Sequence, residues 1–174
     1  MLPLGYSSNL HAAETLDEVV AHVVPFARSV RERLGWQRMG IDLRLGLAAL
    51  AGGTAAIAAL RSALDAAGLS AHTLNGFPLR PFQQARVKEQ AYLPDWSEAE
   101  RLRASLDLLS AALALSDEPL VTISTVPGSY RPFGPARNDA RVIATALGRW
   151  AAAAAIIERD TGRTAVLCLE PEPW

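Results

Sequence analysis

An apolar run near the end of the chain, Ala165-Val166-Leu167-Cys168-Leu169, is followed by a carboxylate, Glu170. A short apolar run bounded by turn residues reads as a buried strand. In parallel β/α proteins, functional groups sit at the carboxyl ends of strands. Side chains alternate along a strand, so Val166, Cys168 and Glu170 share one face. From there Glu170 could ligate a divalent cation or act as a base. The plainer alternative is a surface loop carboxylate, with Glu172 as its double.

Other chemistry-bearing residues also stand where strands end. His11 follows the first strand and could bind a metal, shuttle a proton or meet a substrate oxygen; a loop histidine bonded to nearby backbone is the alternative. Asn75, ahead of Gly76-Phe77-Pro78, could bind a hydroxylated ligand or form a turn. Lys88 lies in a loop with Tyr92 and Trp96. It could neutralise an anionic substrate, and the two rings could wall a pocket or staple the loop to the body of the protein. Ser124 and Thr125 carry hydroxyls, but no Gly-x-Ser-x-Gly elbow surrounds Ser124, so nucleophilic serine chemistry has no support. His22 falls mid-helix and His72 within a strand; both read as structural. By parity His72 and Asn75 should lie on opposite faces.

The elements that position these residues alternate. Leu2–Tyr6 opens as a strand. Thr15-Leu16-Asp17-Glu18 is a capping-box pattern, starting a helix that should reach Leu34, with Pro25 kinking or splitting it. Met39–Leu45 is the second strand, and a helix capped by Thr54 runs to Ala67. Ala71–Leu74 is the third strand, and a long Pro- and aromatic-rich connection spans Asn75 to Trp96. Ser97-Glu98-Ala99-Glu100 suggests another capping box, on a helix to Leu115 with Leu102, Leu106, Leu109 and Leu113 on one face. Leu120–Val126 is the fourth strand, residues 138–159 an Ala-rich helix, and Thr164–Leu169 the fifth strand. This order predicts an α/β protein with a parallel (β/α) repeat. No Gly-rich phosphate turn follows an early strand, which argues against a doubly wound sheet. A complete TIM barrel needs about 250 residues. Five strands and four main helices are therefore a partial TIM barrel, and residues 1–174 read as one domain truncated at its carboxyl end. Its open edges predict marginal stability or self-association.

Composition sets outer bounds. Half of the 174 residues are hydrophobic, a globular proportion, and the net charge is −1. That balance offers neither a nucleic-acid surface nor an attraction to anionic membranes. One cysteine excludes an internal disulfide, and Cys168 is expected in the core. Met1-Leu2-Pro3-Leu4 lacks a basic region and a long apolar run, and Ala151–Ile157 is too short to cross a bilayer. A cytoplasmic location without membrane insertion is the expectation.

The ordered blocks Gly5-Tyr6-Ser7-Ser8-Asn9-Leu10-His11, Glu14-Thr15-Leu16, Thr73-Leu74-Asn75-Gly76-Phe77-Pro78, Val87-Lys88-Glu89, Tyr92-Leu93-Pro94-Asp95-Trp96, Ser124-Thr125-Val126-Pro127 and Leu169-Glu170-Pro171-Glu172-Pro173 resemble those of the EboE family of metabolite traffic proteins. That family belongs to the xylose-isomerase-like, sugar-phosphate isomerase/epimerase class of TIM barrels. The resemblance implies a small polar or sugar-like substrate, faced here by His11, Asn75 and Lys88. It also implies a divalent metal (Mn, Mg or Zn) at the carboxyl-terminal face of the full-length protein. Glu170 matches the first metal ligand; the remaining acidic residues and the His come from later strands. This chain alone is therefore expected to bind no metal tightly and to be inactive. A non-catalytic binding or transport-associated protein that keeps the barrel pocket is the second reading.

Overall fold

The computed structural model describes residues 5–82 and 88–171, with Lys88 described by its backbone only. Five strands, β1 Gly5–Ser7, β2 Met39–Arg44, β3 Leu69–Asn75, β4 Leu120–Thr125 and β5 Thr164–Leu169, form one sheet in the order β1-β2-β3-β4-β5. Every pairing is parallel. Among the described residues, two short turns, α1 Leu16–Glu18 and α3 Leu47–Leu50, and four helices of more than two turns, α2 Val24–Arg33, α4 Gly53–Ala66, α5 Ala99–Leu115 and α6 Ala140–Thr161, complete the repeat. The chain is thus the α/β, partial parallel β/α fold that the alternation predicts. Spatial order equals chain order, so no strand reversal creates the crevice of a doubly wound sheet.

Crossovers of one hand and one direction place all helices on one face of the sheet. Burial records this. Ile41, Leu43, Leu74, Val121 and Ile123, which alternate along β2 to β4, are at most 1% exposed beneath the helices. Asp42, Ser70, His72, Thr73 and Thr122 on the other face are only half-buried. Cys168 is exposed rather than in the core. It shares its face with Val166, 41% exposed, and none of the described helices covers that face.

The third strand is longer than expected and irregular. Ile41 pairs Ala71 while Asp42 pairs Thr73, so His72 is an extra residue in a β-bulge. A bulge places two successive side chains on nearly the same side. The imidazole lies over Gly40, where an added Cβ would sit 2.0 Å from Nε2, and the Thr73 hydroxyl bonds that of Thr122 at 2.8 Å. Both therefore face away from the helices. The phase changes at this point, and His72 and Asn75 share a face after all.

Helix boundaries show where local signals compete. Thr15 forms its capping box: its hydroxyl accepts from Glu18 N–H, and Glu18 accepts from Thr15 N–H. Pro25 lies in the first turn of α2, and the α-helical stretch is interrupted just ahead of it, as expected, without ending. Between α1, Leu16–Glu18, and α2, residues Val19–Val23 form a π turn, whose wider hydrogen-bond register accommodates a residue without an N–H. Thr54 lies inside α4, whose cap position is Gly52. Ser97 does not cap α5; its hydroxyl donates to Asp95. The buried face of α5 is Arg101, Ala104, Ser105, Leu108, Leu109, Ala111, Ala112 and Leu115, with Leu102, Leu106 and Leu113 only partly buried. Small residues let this helix approach the sheet closely, and two polar residues on the inner stripe mask its hydrophobic phase.

Among the described helices α6 alone is long and apolar enough to cross a membrane. One side of it packs on α5 and β5, with Trp150 buried and its indole N–H donating to Ser105 C=O at 3.1 Å.

Candidate functional site

Strand pairing brings polar side chains into two rows on the face away from the helices. Ser7, Asp42, Thr73 and Thr122 are in register across β1 to β4. Arg44, Asn75, Ser124 and Cys168 form the next row toward the carboxyl ends. Glu170 follows Cys168 by two residues, and its backbone N–H is fixed by Thr125 C=O at 2.9 Å. This placement follows from sequence alternation: in parallel strands, apolar residues go to the helices and every second residue is free to be polar.

Asp42 is the unusual member. The Ser7 hydroxyl donates to its Oδ2 at 3.1 Å, while Oδ1 is buried without a partner among the described residues. Burial pushes its carboxyl above the ordinary aspartate range, the Ser7 hydrogen bond pulls it back, and the charge of Glu170 adds to the rise. Glu170 and Asp42 thus sense each other across the face. Asn75, 8% exposed, accepts through Oδ1 from Phe77 N–H at 2.9 Å and from the Ser124 hydroxyl at 3.0 Å.

Two buried arginines tie the loops around this face. Arg44 donates to Glu14 and to Pro78 C=O, and lies over the Phe82 ring at 5.0 Å, which joins the β1 and β3 loops. Arg101 is fully buried. Its Nε donates to Pro94 C=O at 2.6 Å and its Nη1 to Gly76 C=O at 2.7 Å. Burial pushes its guanidinium down to about 10, against the pull of Asp95 and Glu98. Asp95, 0% exposed, accepts from Ser97, from Ser129 at 2.6 Å and from Arg137 at 3.0 Å. Burial raises its carboxyl, but these hydrogen bonds outweigh burial and hold it below the usual carboxylate range. Tyr92 lies between Phe77 and Tyr130, with centroids 5.5 and 4.8 Å away. Trp96 is buried with its indole N–H on Val126 C=O. The aromatics of the long connection therefore staple it down.

The structure brings Asn75 and Glu170 to one face. It does not bring His11 there. Tyr6, paired with the helix-facing Ile41, holds His11 Nε2 through its hydroxyl at 2.6 Å, and Phe26 of α2 packs edge-on to the imidazole. Lys88 opens the short 3-10 turn Lys88–Tyr92, and its side chain lies outside the described residues, as do Arg86, Val87 and Glu172. Sequence patterning alone does not single out Asp42. Its signal is a lone carboxylate in an apolar strand, Ile41-Asp42-Leu43, where burial would otherwise exclude one.

Among the described residues no three His, Cys, Asp or Glu side chains come together. The donor set here does not by itself make a divalent-metal site. Of the clefts, one of about 480 Å³ between α5 and α6 faces outward and contains none of the polar rows. Another, of about 540 Å³, covers the amino-terminal half of the same face around Gly40, Ser70 and His72. No protein-family model matches the chain, and no curated protein matches it.

Proposed function

We propose that the chain is the amino-terminal part of a xylose-isomerase-like TIM barrel of the EboE metabolite-traffic kind, and that its uncovered sheet face binds a small hydroxylated metabolite. The observation that carries this reading is the convergence of Ser7, Asp42, Asn75, Ser124 and Glu170 on one face toward the carboxyl ends of parallel strands. Barrel chemistry is placed there because strand-end side chains point inward while the loops above them vary. The row supplies the polar contacts that a sugar-like molecule needs to be oriented. Asp42 contributes a carboxyl that keeps its proton to higher pH than a free aspartate, a property suited to proton transfer. Glu170 is offered as one ligand of a divalent-metal site whose other ligands lie outside the described residues. Lys88 and His11 remain candidates for substrate contact, Lys88 by charge and His11 only with a change of the Tyr6 contact.

The test is an NMR titration of the ¹⁵N-labelled chain with D-xylose, glycerol and dihydroxyacetone in turn. Shifts concentrated at Ser7, Asp42, Asn75, Ser124 and Glu170 are expected with at least one of the three. Shifts confined to the helices, or no shift with any probe, would overturn the reading.

A further inference from the structure

We infer that the helix side of the sheet holds a site for one internal water molecule, bound by Arg101 Nη2, the Ser105 hydroxyl and the Thr125 hydroxyl beneath the start of α5. The site lies on the opposite side of the sheet from the face proposed to bind a metabolite, so it stands or falls independently of that reading.

Arg101 Nη2, Ser105 Oγ and Thr125 Oγ1 are buried without a hydrogen-bond partner among the described residues. The three residues are at most 1% exposed. Buried polar groups left unpaired are unfavourable and uncommon in native proteins. Ser105 adds a separate observation. A helical hydroxyl commonly turns back to the carbonyl four residues earlier. Ser62, Ser110, Thr145 and Thr161 all do so, at 2.7 to 3.1 Å. Ser105 does not, although it lies on the inner stripe of α5, where a hydroxyl without a partner is costly.

The fold brings the three groups toward one place. Arg101 and Ser105 are four residues apart on α5, so they stack on one face of the helix. The plane of the guanidinium is fixed, because Nε donates to Pro94 C=O at 2.6 Å and Nη1 to Gly76 C=O at 2.7 Å. Those two anchors also bracket Thr125. Gly76 N–H donates to Ser124 C=O at 3.0 Å, and the indole of Trp96, two residues after Pro94, donates to Val126 C=O at 3.1 Å. Thr125 shares the parity of the helix-facing Val121 and Ile123. Its hydroxyl is therefore on the side where the first turn of α5 sits.

The chemistry of the three atoms selects water. Arg101 Nη2 can only donate, whereas each hydroxyl can donate or accept. A water molecule would accept from Arg101 and bond both hydroxyls, making about three hydrogen bonds, the usual number for a buried water. A cation would be repelled by the guanidinium. An anion would meet the field of Asp95 and Glu98, which already acts on Arg101.

A high-resolution crystal structure of the natural chain should show a water oxygen within hydrogen-bond distance of Arg101 Nη2, Ser105 Oγ and Thr125 Oγ1. Water-¹⁷O relaxation dispersion in solution gives a second readout, since it counts long-lived waters without interference from exchanging hydroxyl protons. The double variant Ser105→Ala, Thr125→Val keeps the shapes and removes both hydroxyls, with folding followed by circular dichroism. Its dispersion amplitude should be smaller than that of the natural chain by one long-lived water. An unchanged amplitude in the folded double variant would overturn the inference. So would a crystal structure of the natural chain in which Arg101 Nη2 bonds protein atoms directly, or in which the density between the three groups is a chloride ion identified by its anomalous signal. The crystal structure decides the matter on its own if the double variant does not fold.

Discussion

Arg101→Ala should destabilise the protein by about 3–5 kcal/mol, the range for removing one member of a buried charged network. The guanidinium is wholly inside, at the first turn of α5, and serves as an internal strut. It satisfies the carbonyls of Pro94 and Gly76, which belong to opposite ends of the connection between β3 and α5. Alanine removes two charge-assisted hydrogen bonds, each worth roughly 1.5–3 kcal/mol. It also leaves a cavity and uncovers the negative charges of Asp95 and Glu98. Against this stands the desolvation of the guanidinium, visible in its depression to about 10. Arg101→Met fills the same space without the charge, so it should cost less than alanine. Urea unfolding of both variants decides the point. An alanine variant within about 1 kcal/mol of the natural chain would mean that desolvation offsets the two hydrogen bonds.

Asp95→Ala should cost a similar ~3–5 kcal/mol at neutral pH, and the cost should depend on pH. The carboxylate gathers donors from the start of α5 and from the loop after β4, so its loss uncouples the two. Its folded pKa lies below the ordinary aspartate value of about 3.9. A depressed acid adds stability that is complete above the unfolded pKa and disappears as pH falls through the folded one. The natural chain should therefore lose stability on acidification below about pH 4, and this part of the loss should be missing in the variant. Urea unfolding at neutral and at acid pH should show the two curves converging. Curves that diverge on acidification would contradict the assigned direction of the shift.

What the sequence discloses and what it hides divides along physical lines. Alternating patterns expose the order and number of elements because each apolar run must meet the same helix layer. Thr15 and Glu18 disclose their box because both partners lie within one turn. Ser97 misleads because its hydroxyl donates to Asp95, two residues earlier, and Asp95 is held in turn by Ser129 and Arg137 from beyond β4. Glu170 is legible from strand parity. Asp42 is not, since a single sequence does not say which face of β2 lacks a helix. The tie between Tyr6 and His11 is hidden because β1 is only three residues long, too short for an alternation to show which way Tyr6 points.

The bulge in β3 has a consequence for how this strand can vary in length. Elsewhere in a sheet, losing one residue turns every side chain beyond the loss to the wrong face. At His72 the opposite holds. Without it, Ala71 would adjoin Thr73, and strict alternation would run unbroken from Leu69 to Asn75 with each side chain on the face it already occupies. A length change of the kind usually confined to loops therefore has a permitted point inside this sheet, directly below the strand-end asparagine.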